Sequence, residues 1–156
     1  MSKNEKIYYE NFKDAVERNR KQIPAVHKKL KNAGVKYVLS SWIDLHGIPK
    51  SKPVPMSDFE QLCLGKGPQF AVHSISFVPE LTPADSDQVM LPDLNSVYIC
   101  PWDKTTAIIF ADLFWEEKPY NVCPRQALKR AMQKAQDSGL SLIHISEPTR
   151  LLSMGD

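Results

Sequence analysis

Cysteine is scarce in this chain and poorly placed for crosslinking. Cys63, Cys100 and Cys123 are odd in number, far apart and without a CxxC pair. Neither a disulfide framework nor a zinc knot is expected, and this usage fits a reduced, cytosolic setting. Long hydrophobic runs are missing as well. No apolar stretch reaches the roughly 20 residues of a membrane span, and the polar, charged start does not read as a signal peptide. Glycine accounts for only six of 156 residues. Gly65-Lys66-Gly67 is too short for a phosphate-cradling loop and lacks its Lys-Ser/Thr ending. The four histidines, His27, His46, His73 and His144, are scattered. No metal-ligand spacing links the carboxylates Asp44, Asp85, Asp87, Asp93, Asp103 and Asp112. A soluble, cytoplasmic chain is expected, with no membrane partner and no metal site of its own.

What is present reads as globular. The apolar share is 42% and the charged share 24%, near the averages for folded domains. The length suits one domain, or one domain with extensions. The net charge of +2 hides an asymmetry: residues 1–31 hold nine Lys/Arg against four Asp/Glu, leaving the remainder net negative. A basic helix of this kind reads as a solvated face, and no nucleic-acid partner is expected.

Phe12, Val16, Ile23, Val26 and Leu30 recur at helical spacing. Pro24 interrupts them, which predicts two helical pieces, the second opening near Pro24. Gly34 suits a left-handed cap. Residues 36–43 and 50–54 read as two strands around the turn Asp44-Leu45-His46-Gly47. Ser57 and Glu60 have the spacing of a capping box for a short helix over 58–64. Residues 88–91 form a strand ahead of a turn at Pro92-Asp93-Leu94-Asn95. A second hairpin joins 97–100 to 106–113 around Pro101-Trp102-Asp103-Lys104. Pro124 opens a clear helix whose stripe is Leu128, Ala131, Met132 and Ala135, and Gly139 stops it. His27 and His46 read as solvated, the cysteines as buried thiols, and Trp42, Trp102 and Trp115 as core or interface anchors. Asp44 and Asp93 suit side-chain bonding to their own backbone. The sum is an α+β arrangement, a mixed sheet with a helix across one face.

The combination carries more than its parts. Asp44-Leu45-His46-Gly47-Ile48-Pro49-Lys50, then Ser86-Asp87, Pro92-Asp93, Pro101-Trp102 and Pro124-Arg125 follow the order of the small amino-terminal domain of the glutamine synthetase family. The chain resembles that family over residues 35–138, and within it the γ-glutamyl amide synthetase group. The resemblance implies a β-grasp domain over 35–122, an N-terminal helical extension over 1–34 and a linking helix over 123–139. Residues 141–150, SLIHISEPTR, resemble translated sequencing-adaptor text, so 140–156 are expected to be a non-native tail. Glu147-Pro148-Thr149 is the nearest text to the family's Glu-Pro-Glu metal run, and it lacks the second carboxylate.

The family uses ATP with Mg or Mn to phosphorylate the γ-carboxylate of glutamate, and ammonia or an amine then displaces phosphate. It works as a homo-oligomeric ring in which the small domain lends a loop to a neighbour's active site. The family's Phe-Asp-Gly-Ser-Ser loop is matched here by Phe70-Ala71-Val72-His73-Ser74, with Ala71 in the place of the aspartate. An alanine neither binds a cation nor takes its proton, which points to an amine less polar than ammonium or to the work passing to His73 or Asp87. Ser74 and Asp87 match family positions, and His73 is added by location, as residues lent to substrate binding in a neighbouring subunit. No catalytic residue and no bound cofactor is expected of this stretch alone. The alternative is a free-standing β-grasp interaction module. A domain that packs on a larger body predicts an exposed apolar patch, whereas a free-standing module predicts a polar face.

Overall fold

The computed structural model describes residues 6–71, 82 and 84–140. Helix α1 (Phe12–Asn32) precedes β1 (Tyr37–Ile43) and β2 (Pro49–Pro55). A 3-10 turn (Met56–Asp58) runs into the short helix α2 (Phe59–Cys63). Strands β3 (Val89–Ile99), β4 (Thr106–Trp115) and β5 (Lys118–Pro119) lead to α3 (Pro124–Asp137). The sheet order is β2-β1-β4-β3, with β5 also pairing with β4. β1 and β4 run parallel and the other pairs antiparallel. The fold is therefore α+β with a mixed sheet, as the strand and helix pattern implies.

Helix α1 is one continuous element, not two. Asn11 caps it by accepting the Asp14 N–H at 2.9 Å, and Lys29 and Lys31 complement the dipole at its end. Pro24 lies inside the helix at an exposed position. Ala15, Asn19, Ile23 and Leu30 are buried on both sides of it, so packing against the rest of the fold offsets the missing N–H. Ile23 and Leu30 meet Phe59 and Leu62 of α2 over Val38, Val54, Ala107 and Ile109. Each such large side chain contributes about 1.5–3 kcal/mol on burial.

The first hairpin closes as its sequence suggests. The Asp44 carboxylate accepts the N–H groups of His46 and Ile48, each at 2.9 Å, and Gly47 turns at φ +78°. The Ile48 N–H, with Lys50 and the His46 N–H, holds the Asp44 carboxyl below its usual value despite burial.

Four local readings change. The residues at 92–95 do not reverse the chain; they form a bulge inside a single long β3. The Ser96 hydroxyl donates to the Asp93 carbonyl at 2.7 Å and accepts the Phe110 N–H at 3.1 Å, which keeps the bulge against β4. Ser57 makes no capping bond, because it falls within the 3-10 turn and Asp58 takes the cap position without a side-chain bond. His27 is half-buried and stacks on Phe59, with ring centroids 5.8 Å apart. In α3 the buried residues are Gln126 and Lys129, while Leu128 is 59% exposed. The helix lies against the charged end of the sheet, so its inward face is polar. The β4–β5 turn also went unread, because Glu116 and Glu117 adopt positive φ without a glycine to signal it.

Candidate functional site

Phe70 and Gln88 exchange backbone hydrogen bonds at 2.8 and 3.4 Å, an isolated antiparallel bridge. The Phe70 ring stacks on Trp42 at 4.3 Å and 15°. Lys52 Nζ donates to the Gln69 carbonyl. On the other limb Trp115 Nε1 donates to Ser86 Oγ at 2.8 Å. Both limbs are thus fastened to the sheet by aromatic residues that alternate onto one face of β1 and β4 or extend from its end.

Ala71 and Asp87 adjoin the bridge on opposite limbs, so the structure brings these two together beside it. Ala71 is half-buried and Asp87 is an exposed carboxylate. His73 and Ser74 lie outside the described residues. Of the two residues carried over from the family and the one added by location, Asp87 alone has a described position.

A second constellation joins the sheet to α3. Lys129 Nζ lies 2.8 Å from Asp93 Oδ2 and 2.6 Å from Asp112 Oδ2. Arg125 reaches the same pair, Nη2 to Asp93 Oδ2 at 2.5 Å and Nε to Asp112 Oδ1 at 2.9 Å. Burial would raise the Asp93 carboxyl, but Lys129, with Arg18 and Arg125, overcomes it and holds the pKa at about 2. Spacing alone read Asp93 as a turn residue. It does accept the Asn95 N–H at 3.2 Å, and its second partner set comes from residues far along the chain. Arg125 and Lys129, one helical turn apart and both basic, were the signal available.

Among the described residues no three His, Cys, Asp or Glu side chains converge on a metal position. Asp93 and Asp112 are already neutralised by Arg125 and Lys129, so they do not fit a hard cation or its nucleotide. Cys63, Cys100 and Cys123 are buried and free. Burial pushes the Cys63 and Cys123 thiols up, which makes them poor nucleophiles.

On the sheet face opposite the α1–α2 core, α3 reaches Asp112 and Phe110 through Arg125 and Lys129. Further along β4, Pro53, Leu39, Ile108 and Tyr98 form one row across four strands in register. Its ends at Pro53 and Tyr98 are exposed, and Leu39 and Ile108 between them are half-buried. Tyr98 is 62% exposed, Tyr37 beside the row 51%, and Trp102 in the β3–β4 turn 78%. Trp102 is therefore not a core residue.

These features define an α+β domain with a fastened Phe70–Gln88 bridge and a partly exposed apolar row on its sheet. The chain matches no protein-family model. It is 35% identical over 123 residues to the glutamine synthetase of Rhizobium meliloti (strain 1021), a match covering 79% of this chain and 28% of that protein. It is 28% identical over 121 residues to the glutamate–methylamine ligase of Methyloversatilis universalis, covering 76% and 27%. The solved ADP complex of GmaS, γ-glutamylmethylamide synthetase, superposes with a TM-score of 0.66 at 27% identity, over 72% of this chain and 26% of that one. The chain is a homologue of the glutamine synthetase family, and its fold is that of the amino-terminal region of GmaS. It spans about a quarter of the length of these relatives.

Proposed function

We propose that this chain is the small amino-terminal β-grasp domain of a glutamine synthetase-like ligase. That ligase joins ammonia or an amine to the γ-carboxylate of glutamate, using ATP with Mg or Mn in a cytoplasmic homo-oligomeric ring. The observation that supports the reading is the apolar row Pro53–Leu39–Ile108–Tyr98, half-buried at its centre and exposed at both ends beside Tyr37, on a chain about a quarter the length of its relatives. A free-standing module would need a polar face there. The domain's part is to hold one wall of the site: the Phe70–Gln88 bridge presents Ala71 and Asp87, and the chemistry belongs to the larger body. Residues 1–34, 35–122 and 123–139 then serve as helical extension, domain and linking helix.

Ala71 favours an amine with an alkyl group over ammonium, since a methyl side chain offers apolar contact and no charge. The methylamine ligase among the relatives supports the same direction. Two measurements test the reading. Purified chain, assayed for Mg-ATP-dependent γ-glutamyl transfer, is expected to show no turnover, and robust turnover would overturn it. In the full-length ligase, Ala71→Asp is expected to raise kcat/KM for ammonia relative to methylamine; an unchanged ratio would remove Ala71 from substrate choice.

A further inference from the structure

A cleft of about 230 Å³ lies between Lys6 and Ile7, α1, α3 and the β3 bulge, whose Asp93 and Asn95 also line it, and it shares no residue with the Phe70–Gln88 bridge or the Pro53–Tyr98 row. The Ile7 and Tyr8 N–H groups donate to Gln133 Oε1 at 2.9 and 3.3 Å, which ties the amino-terminal segment to α3. Four cations line the cleft, and they are not alike. Arg125 and Lys129 are neutralised by Asp93 and Asp112. Lys6 and Arg18 form no close ion pair among the described residues, although the Arg18 charge also acts on Asp93 at the cleft; they flank the Tyr9 ring, at 5.5 and 5.0 Å from its centroid. Arg18 spends Nε and Nη2 on Asn19 Oδ1, leaving Nη1 without a protein acceptor among the described residues. Ile7, Leu128 and Met132 also line the cleft, and Leu128 is exposed although it lines a concave surface.

We propose that this cleft binds a small aliphatic carboxylate. Its carboxylate meets Lys6 and Arg18 in charge-assisted hydrogen bonds, and its alkyl chain covers Leu128 and Met132. Inorganic phosphate would use the cations and leave the aliphatic wall wet. A neutral hydrocarbon would desolvate two charges without a partner. Because the cleft is bounded by Lys6 and Ile7 on one side and α3 on another, an occupant bridges the two and holds them together.

The test is a titration of the whole chain with hexanoate, acetate and inorganic phosphate, followed by the methyl resonances of Met132 and Ile7. Hexanoate is expected to give saturable shifts and to bind more tightly than acetate or phosphate. Lys6→Gln with Arg18→Gln is expected to weaken hexanoate by about tenfold or more. Lys6→Gln alone, at an exposed position, reports the same direction should the double variant fold poorly. Leu128→Ser is expected to abolish the advantage of hexanoate over acetate. Absence of saturable shifts, phosphate binding as tightly as hexanoate, or unchanged affinity in folded Lys6→Gln and Arg18→Gln variants would each overturn the proposal.

Discussion

Asp93 and Lys129 form a buried ion pair, Oδ2 to Nζ at 2.8 Å, that ties the bulge of β3 to the middle of α3. Asp112 on β4 shares the same ammonium. The pairing explains why the inward face of α3 is polar.

Replacing Lys129 by methionine should therefore be costly. It leaves two covered carboxylates with Arg125 as their nearby cation, and breaking one side of a buried pair costs about 3–5 kcal/mol. Urea unfolding of the variant should show a lowered midpoint, and an unchanged midpoint would count against the geometry.

Acid should probe the same cluster. The folded Asp93 pKa is about 2, below the ordinary 3.8. Its contribution is fully present above the unfolded value and is lost as pH falls through 3.8 toward 2. It amounts to about 2 kcal/mol at neutral pH. Asp93→Asn should lose the part of the acid dependence that falls in this window. A variant whose stability profile between neutral pH and pH 2 parallels that of the parent chain would contradict it.

Gly65 and Gly47 share positive φ but not surroundings. A Cβ on Gly65 would sit 2.4 Å from Phe12 Cζ, whereas one on Gly47 meets nothing within 4 Å. Both alanine variants carry the backbone cost of about 1–2 kcal/mol. Gly65→Ala should lose more stability than Gly47→Ala because the Phe12 ring, packed at 5.3 Å on Phe114, must also shift. Equal thermal midpoints would mean that the ring gives way freely.

Pro24 offers a gain. It is exposed, lies within α1 and has no N–H to give to the helix ladder. Pro24→Ala should raise stability by about 1–3 kcal/mol, read from urea unfolding. A lowered midpoint would show that the proline is favoured by its surroundings.

Much of the fold was legible because its signals are local. The first hairpin could be read from Asp44 and Gly47, whose side-chain bonding and positive φ act within five residues. Pro124 and Gly139 bound α3 for the same kind of reason. Helix α1 was misread because Pro24 is a strong local breaker, and the burial that overrides it comes from strands and α2. The candidate site was legible only as far as Phe70, Ala71 and Asp87. Their meeting across the Phe70–Gln88 bridge depends on backbone pairing over a long separation.

Sequence by itself determined the α+β class, the positions of the hairpins and the kinship with glutamine synthetases, since periodicity, turn chemistry and motif order are properties of neighbouring residues. Tertiary structure alone decided which face of α3 turns inward, that Asp93 and Asp112 share Lys129, and that Pro53, Leu39, Ile108 and Tyr98 align as one partly exposed row. Each of these depends on charges or side chains far apart in the chain being brought within a few ångströms, which no local pattern encodes.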